Sequence, residues 1–187
     1  MGRPRVPLPV KLVCGLLSGD PDLLNRARQR LVRRYGAVDL ESETWTFTQT
    51  RYYEHEMGPD LQRRFLAFER LVAPDALPEI KLETNRIEAE IADDCLTLGI
   101  ARPVNLDPGY VDLTRLVLAT TKDRAHRIYL AQGIYAEVTL TALGDGWTPG
   151  GDWTYADFRE PRYHPYLSSV RRRLIEQRAH LAAGDAE

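Results

Sequence analysis

Leu116-Val-Leu-Ala119, inside the segment 108–125, reads by periodicity alone as either a buried strand or a buried helix, and its assignment decides the fold. An internal echo bears on the choice. Gln49-Thr-Arg-Tyr52-Tyr-Glu54 and Gln132-Gly-Ile-Tyr135-Ala-Glu137 share the pattern Q-x-x-Y-x-E. Each follows an alternating run, and each lies downstream of an Asp-Pro pair, Asp20-Pro21 or Asp107-Pro108. If the echo is a duplication, each half is a strand-helix-strand-strand unit and 108–125 is helical. The expected class is then α+β, one domain with a largely antiparallel sheet and helices packed on it.

Working outward, Lys11–Ser18 is a short apolar run suited to a buried strand. Asp20 and Pro21 supply an N-cap and a first helical position, and Leu23, Leu24, Ala27, Leu31 and Tyr35 recur at helical spacing up to Gly36. Thr44–Thr50 alternates and predicts a strand, with a second strand over 51–57. Leu61, Phe65, Phe68 and Val72 predict a helix over 59–72, and Ile80, Ile87 and Ile91 another over 79–96. The alternation of Ile134, Ala136, Val138 and Leu140 predicts a strand over 134–141. Residues 144–153 are glycine-rich and read as a surface loop, and 166–182 as the last helix. Residues 1–10 read as an N-terminal extension and 183–187 as a frayed tail. The expected core includes Leu12, Leu31, Trp45, Phe65, Phe68, Ile91, Leu116, Leu118, Ile134, Val138 and Leu174.

With 187 residues the chain suits one domain, 1–187, and 43% hydrophobic with 28% charged residues is ordinary folding composition. A net charge of -2 gives no global field for polyanions, so nucleic acid is an unlikely partner. No apolar run is long enough to span a bilayer, no signal-peptide pattern opens the chain, and two cysteines are too few for a disulfide scaffold. The expected setting is the cytoplasm, with no membrane partner; oligomeric state is left open.

Several stretches look familiar together, among them Lys81-Leu-Glu-Thr-Asn85, Arg102-Pro-Val-Asn-Leu-Asp-Pro-Gly-Tyr110, Leu116-Val-Leu-Ala-Thr-Thr-Lys-Asp123 and Trp153-Thr-Tyr-Ala-Asp-Phe-Arg159. The chain resembles, over nearly its whole length, the bacterial family catalogued as domain of unknown function 4416. The resemblance implies bacterial origin and single-domain length, and no reaction or catalytic residue. Some relatives carry a GTP-binding label, yet no G-x-x-x-x-G-K-[ST] loop is present here to cradle phosphates.

Glu54 and Glu137, equivalent under the echo, are the sharpest candidate catalytic pair, because close carboxylates can divide acid and base roles or hold Mg²⁺. The bland alternative is solvent-facing sheet residues paired with arginines. Lys122, Asp123, His126 and Arg127 form the densest polar cluster; Lys122 and Arg127 could grip an anion while His126 exchanges protons, or the cluster could simply cap a helix. Tyr52 and Tyr135 would flank the glutamates. Trp153, Tyr155, Asp157 and Arg159 could close over a flat ligand, and Asn105 and Asp107 read as capping residues. The cofactor is otherwise undetermined. Two functions follow: binding of, or catalysis on, a small anionic ligand, phosphorylated or nucleotide-like, in a polar cleft on the sheet; or a non-catalytic domain docking protein or RNA through the arginine-rich helix faces 26–34 and 171–178.

Overall fold

A computed structural model of the chain describes residues 2–49 and 53–184. Among the described residues nine strands form one sheet: β1 Val10–Ser18, β2 Val38–Glu41, β3 Trp45–Thr46, β4 Gln62–Val72, β5 Asn105–Val111, β6 Arg115–Thr120, β7 Ile128–Ala131, β8 Ile134–Leu143 and β9 Gly146–Pro149. Their order is β2-β4-β1-β5-β6-β8-β7, with β3 on β4 and β9 on β8, and every pairing is antiparallel. The α+β expectation holds. Among the described residues no helix is long and apolar enough to cross a membrane.

Every residue of β1 is buried because the strand is central and covered on both faces. Leu12, Cys14 and Leu16 face α1 (Pro21–Tyr35) and α3 (Leu77–Asp94), together with Leu24, Leu31, Ile87 and Ile91. Val13 faces the other side with Phe65, Tyr163 and, from α4 (His164–Gly184), Leu167 and Val170. The expected helix 21–35 has its expected ends: the Asp20 carboxylate accepts from the Asp22 N–H at 2.8 Å, and Gly36 leaves the helix at φ 92°.

The segment 108–125 is not a helix. β5 and β6 form a hairpin whose turn is held by Asp112, its Oδ1 accepting from the N–H groups of Thr114 (2.6 Å) and Arg115 (2.9 Å). Leu116 and Leu118 join the α4-side cluster while Val117 and Ala119 face Leu77 of α3, so a continuous apolar run serves two buried faces. With no helix between β5 and β6, the two halves have different element orders and the duplication falls.

The expected helix 59–72 is β4 for the same reason: Phe65 and Ala67 face one cluster, Leu66 and Phe68 the other. Within the described residues the strand expected over 44–50 is Trp45–Thr46, and of the one expected over 51–57 the part Glu54–Met57 is a single helical turn, α2. Tyr52 lies outside the described residues. The loop expected over 144–153 contains β9, which buries Trp147 with its indole N–H donating to Ser168 Oγ at 3.1 Å.

β8 is present but bulged. Leu116 pairs with Leu140 and Val117 with Val138, leaving Thr139 as the extra residue. The phase of the strand therefore shifts: Val138, expected in the core, is 38% exposed, while Glu137 is 2% exposed. Trp45, also expected in the core, is half-buried. The other nine expected core residues are buried.

β5 and β6 pair only through Gly109–Val111 and Leu116–Leu118, whereas β5 stays on β1 back to Asn105 and β6 stays on β8 out to Thr120. The sheet therefore forks. At the fork the Leu106 N–H donates to Glu88 Oε1 at 2.7 Å, and the Leu106 carbonyl accepts from Lys81 Nζ at 2.8 Å. Two side chains of α3 thus satisfy backbone groups that a neighbouring strand would otherwise serve. The last paired residue before the fork is Gly109, where an added Cβ would lie 2.3 Å from the Val117 carbonyl oxygen. We expect Gly109→Ala to force the hairpin apart and lower stability by about 1 to 3 kcal/mol, read as a lower urea midpoint.

Candidate functional site

The fork opens into a cavity of about 420 Å³ that runs from α3 on one face of the sheet to the loop before α4 on the other. Lys81 and Asn85 come from one stripe of α3, four residues apart. Arg102, Asn105 and Asp107 come from the start of β5 and the segment before it, Arg63 from β4, and Leu118–Lys122 from the end of β6. Phe47, Tyr53, Tyr155, Ala156, Asp157 and Phe158 complete the lining.

Four cationic side chains, Arg63, Lys81, Arg102 and Lys122, face two carboxylates, Asp107 and Asp157. Arg63 is 3% exposed and sits 2.8 Å from Asp107 Oδ2 and 3.3 Å from Asp157 Oδ2, its guanidinium lying over the Phe47 and Phe65 rings. Burial favours protonation of both carboxyls, but they diverge. The adjoining Arg63, with Lys81 and Arg102 behind it, holds Asp107 below the usual carboxylate range, whereas Asp157 is raised because burial outweighs Arg63 and the charge of Asp107 adds to it. Asp107 is therefore the counter-ion of Arg63. Arg102 donates to Glu88 Oε2 at 3.0 Å and to Asn105 Oδ1, and the Asn105 amide donates to Asp107 at 2.7 Å. Burial also raises Glu88, against the opposing pull of Lys81, Arg102 and the Leu106 N–H.

The cluster expected from the sequence assembles beside this cavity. Glu137 Oε2 accepts from Arg127 Nε at 2.8 Å and lies 3.4 Å from His126 Nε2. Arg127 also donates to the Tyr155 hydroxyl at 2.8 Å and to the Lys122 carbonyl at 3.0 Å. Trp153, half-exposed, stacks on His126 with ring centroids 5.2 Å apart. Lys122, Tyr155 and Asp157 reach the cavity lining; Glu137, His126, Arg127 and Trp153 form the structure that holds its roof. Arg159 is exposed and donates back to the Thr154 carbonyl, and Tyr135 packs edge-on against Tyr129. The helix-cap reading of Lys122 and His126 has no helix to cap, since they lie between β6 and β7.

Glu54 is placed by its backbone in α2, outside the sheet, so it is not the hairpin counterpart of Glu137. Among the described residues no three His, Cys, Asp or Glu side chains are grouped to hold a metal ion. Sequence reasoning passed over Arg63, Lys81, Asn85 and Arg102, and read Asn105 and Asp107 as caps. The available signal was the i, i+4 pair Lys81 and Asn85 together with the polar alternation Arg102-x-x-Asn105-x-Asp107.

The fold and site thus define an α+β domain with a forked antiparallel sheet and a charged cleft at the fork. The chain belongs to the family described as domain of unknown function (DUF4416), whose model matches residues 8–174. No curated protein and no solved structure matches it.

Two outcomes follow from this electrostatic arrangement. Glu137 is the buried counter-charge of Arg127, with side chains 1% and 6% exposed, so Glu137→Gln should lower stability by about 3 to 5 kcal/mol in urea unfolding. Asp157 has a folded-state pKa held above the ordinary carboxylate range by burial. It binds its proton more tightly when folded, so the ionised group weighs against folding once pH climbs past that value. The stability of wild type relative to Asp157→Asn should therefore fall as pH rises from about 4 through the raised pKa; a flat difference over that range would contradict the assignment.

Proposed function

We propose that this protein binds, or acts on, a small anionic ligand, phosphorylated or nucleotide-like, in the cleft at the β5–β6 fork. The observation that carries the reading is the excess of cations in the lining, four against two carboxylates, in a chain whose net charge is -2. A concave site with local positive charge concentrates anions that the molecule as a whole would repel. Phe47, Tyr53, Tyr155 and Phe158 add ring faces and edges against which a planar group can pack. The reading sets this activity in the bacterial cytoplasm, in keeping with two buried free thiols.

The alternative, docking through arginine-rich helix faces, draws less support because most of those arginines are occupied. Arg28 pairs with Glu41, Arg30 with Glu90 and Asp94, and Arg34 with Glu83; Arg171 and Arg178 donate to backbone carbonyls.

A thermal-shift panel of nucleotides, sugar phosphates and dicarboxylates tests the reading. Ligand at about 100 times its Kd should raise the melting temperature of a protein this size by about 5 to 10 °C. Stabilisation by cationic or neutral compounds alone, with none by anions, would overturn it.

A further inference from the structure

We propose that the anionic group of the ligand is a phosphoryl group seated on Lys81 Nζ, between α3 and the end of β6. The inference rests on the proposed function and adds the chemistry of the anion and its place in the cleft.

The cations of the cavity are not equivalent. Arg63 is neutralised by Asp107 and Arg102 by Glu88. Lys81 is 5% exposed, and its ammonium donates to an uncharged group, the Leu106 carbonyl. Among the described residues it has no carboxylate at ion-pairing distance, whereas the third lysine of the chain, Lys11, meets Asp39 at 2.5 Å. Glu88 and Asp107, the carboxylates whose charge Lys81 feels, stand beyond ion-pairing distance, and an ammonium with three N–H groups has donors beyond the one given to Leu106. The cavity wall places Lys81 where a ligand anion would make the direct contact that those carboxylates do not.

The donors around it select the anion. Both guanidinium forks in the lining, which match planar carboxylates, are already engaged by protein carboxylates. The lining also holds Asn85 of α3 with Thr120 and Thr121 at the end of β6, whose amide and hydroxyls are point donors carried on different elements. Point donors drawn from several elements suit a tetrahedral group with three acceptor oxygens better than a planar one with two. The choice of residue type agrees, for the chain holds three lysines against 22 arginines and two of the three line this cavity.

The test uses the 187-residue chain, with inorganic phosphate and methyl phosphate compared with acetate and malonate at equal ionic strength. Phosphate compounds near saturation should raise the wild-type melting temperature by about 5 to 10 °C while the carboxylates leave it within about 1 °C. Lys81→Met should abolish the phosphate shift. Because that change also strips the Leu106 carbonyl of its donor, Lys81→Gln serves as the milder variant and should lose the shift as well. Thr121→Val, at an exposed position on the lining, should weaken phosphate binding about tenfold without altering the unliganded melting temperature.

Equal phosphate shifts in wild type and both Lys81 variants would overturn the seat and leave the anion-binding cleft standing. Carboxylates as effective as phosphate would overturn the phosphoryl assignment alone. If neither phosphate nor any anion of the wider panel stabilises the wild type, the cleft reading fails and the inference fails with it.

Discussion

The clamp of Lys81 and Glu88 on the backbone of Leu106 is the interaction on which the rest of the site depends. A central strand that loses its neighbour exposes N–H and C=O groups which the interior cannot leave unpaired. Here the loss is confined to one end of β5, where Leu106 is fully buried and out of reach of β6. Glu88 and Lys81 stand seven residues apart on α3, two turns along one stripe, so one helix face meets both groups of one peptide edge. The fork is thereby tolerated without another strand to fill it, and the space that strand would occupy remains as the cleft.

The same substitution of side chain for strand brings charge into the core and so determines its electrostatics. Glu88 is buried deeply enough that burial pushes its carboxyl upward, and Arg102 and Lys81 counter that pressure. Asp107 is placed on β5 next to Arg63, and Asn105 joins the two pairs through one amide. These groups form one network because each satisfies the next, which fixes side-chain geometry but adds little net stability, since desolvation offsets most of the Coulomb gain. A fold maintained for stability alone would have filled the fork with apolar side chains. The expense of the network is intelligible if the cleft has work to do.

How much of this was legible in the sequence follows from what the periodicity could see. Where an element is covered on one face, as in α1 with its Asp20 cap and Gly36 stop, pattern and caps agree and the helix is read to the residue. Where a strand is covered on both faces, as in β4 and β6, the apolar run is continuous and helical spacing can be picked out of it at will. The deciding signal at β6 was Asp112, whose side chain caps a tight turn and leaves no room for a helix through 113–121. The bulge at Thr139 was invisible because it depends on β6, not on β8 itself, and it reverses which of Glu137 and Val138 is buried. The polar cluster around Arg127 was legible since its members are near in sequence, whereas Lys81, Arg63 and Asp107 meet only through the fork.

The cleft has a floor and a roof of different origin, and this shapes what a bound ligand could change. The floor is built from the sheet and α3, whose positions are fixed by the main core. The roof, residues 153–158, is tied to the outer strands through Tyr155 to Arg127 and Glu137, and through Trp153 to His126. Among the described residues its charged link to the floor is Asp157 to Arg63, at 3.3 Å against the 2.8 Å that Arg63 gives Asp107. Arg63 is therefore shared unequally between floor and roof, and Asp157, the more easily protonated of the two carboxyls, is the weaker partner. A ligand anion of the proposed kind, entering on the Lys81 side, would add negative charge to the floor and draw on the same cations. The energetic consequence would fall on the contact that is longest and least compensated, the one holding the roof to the floor.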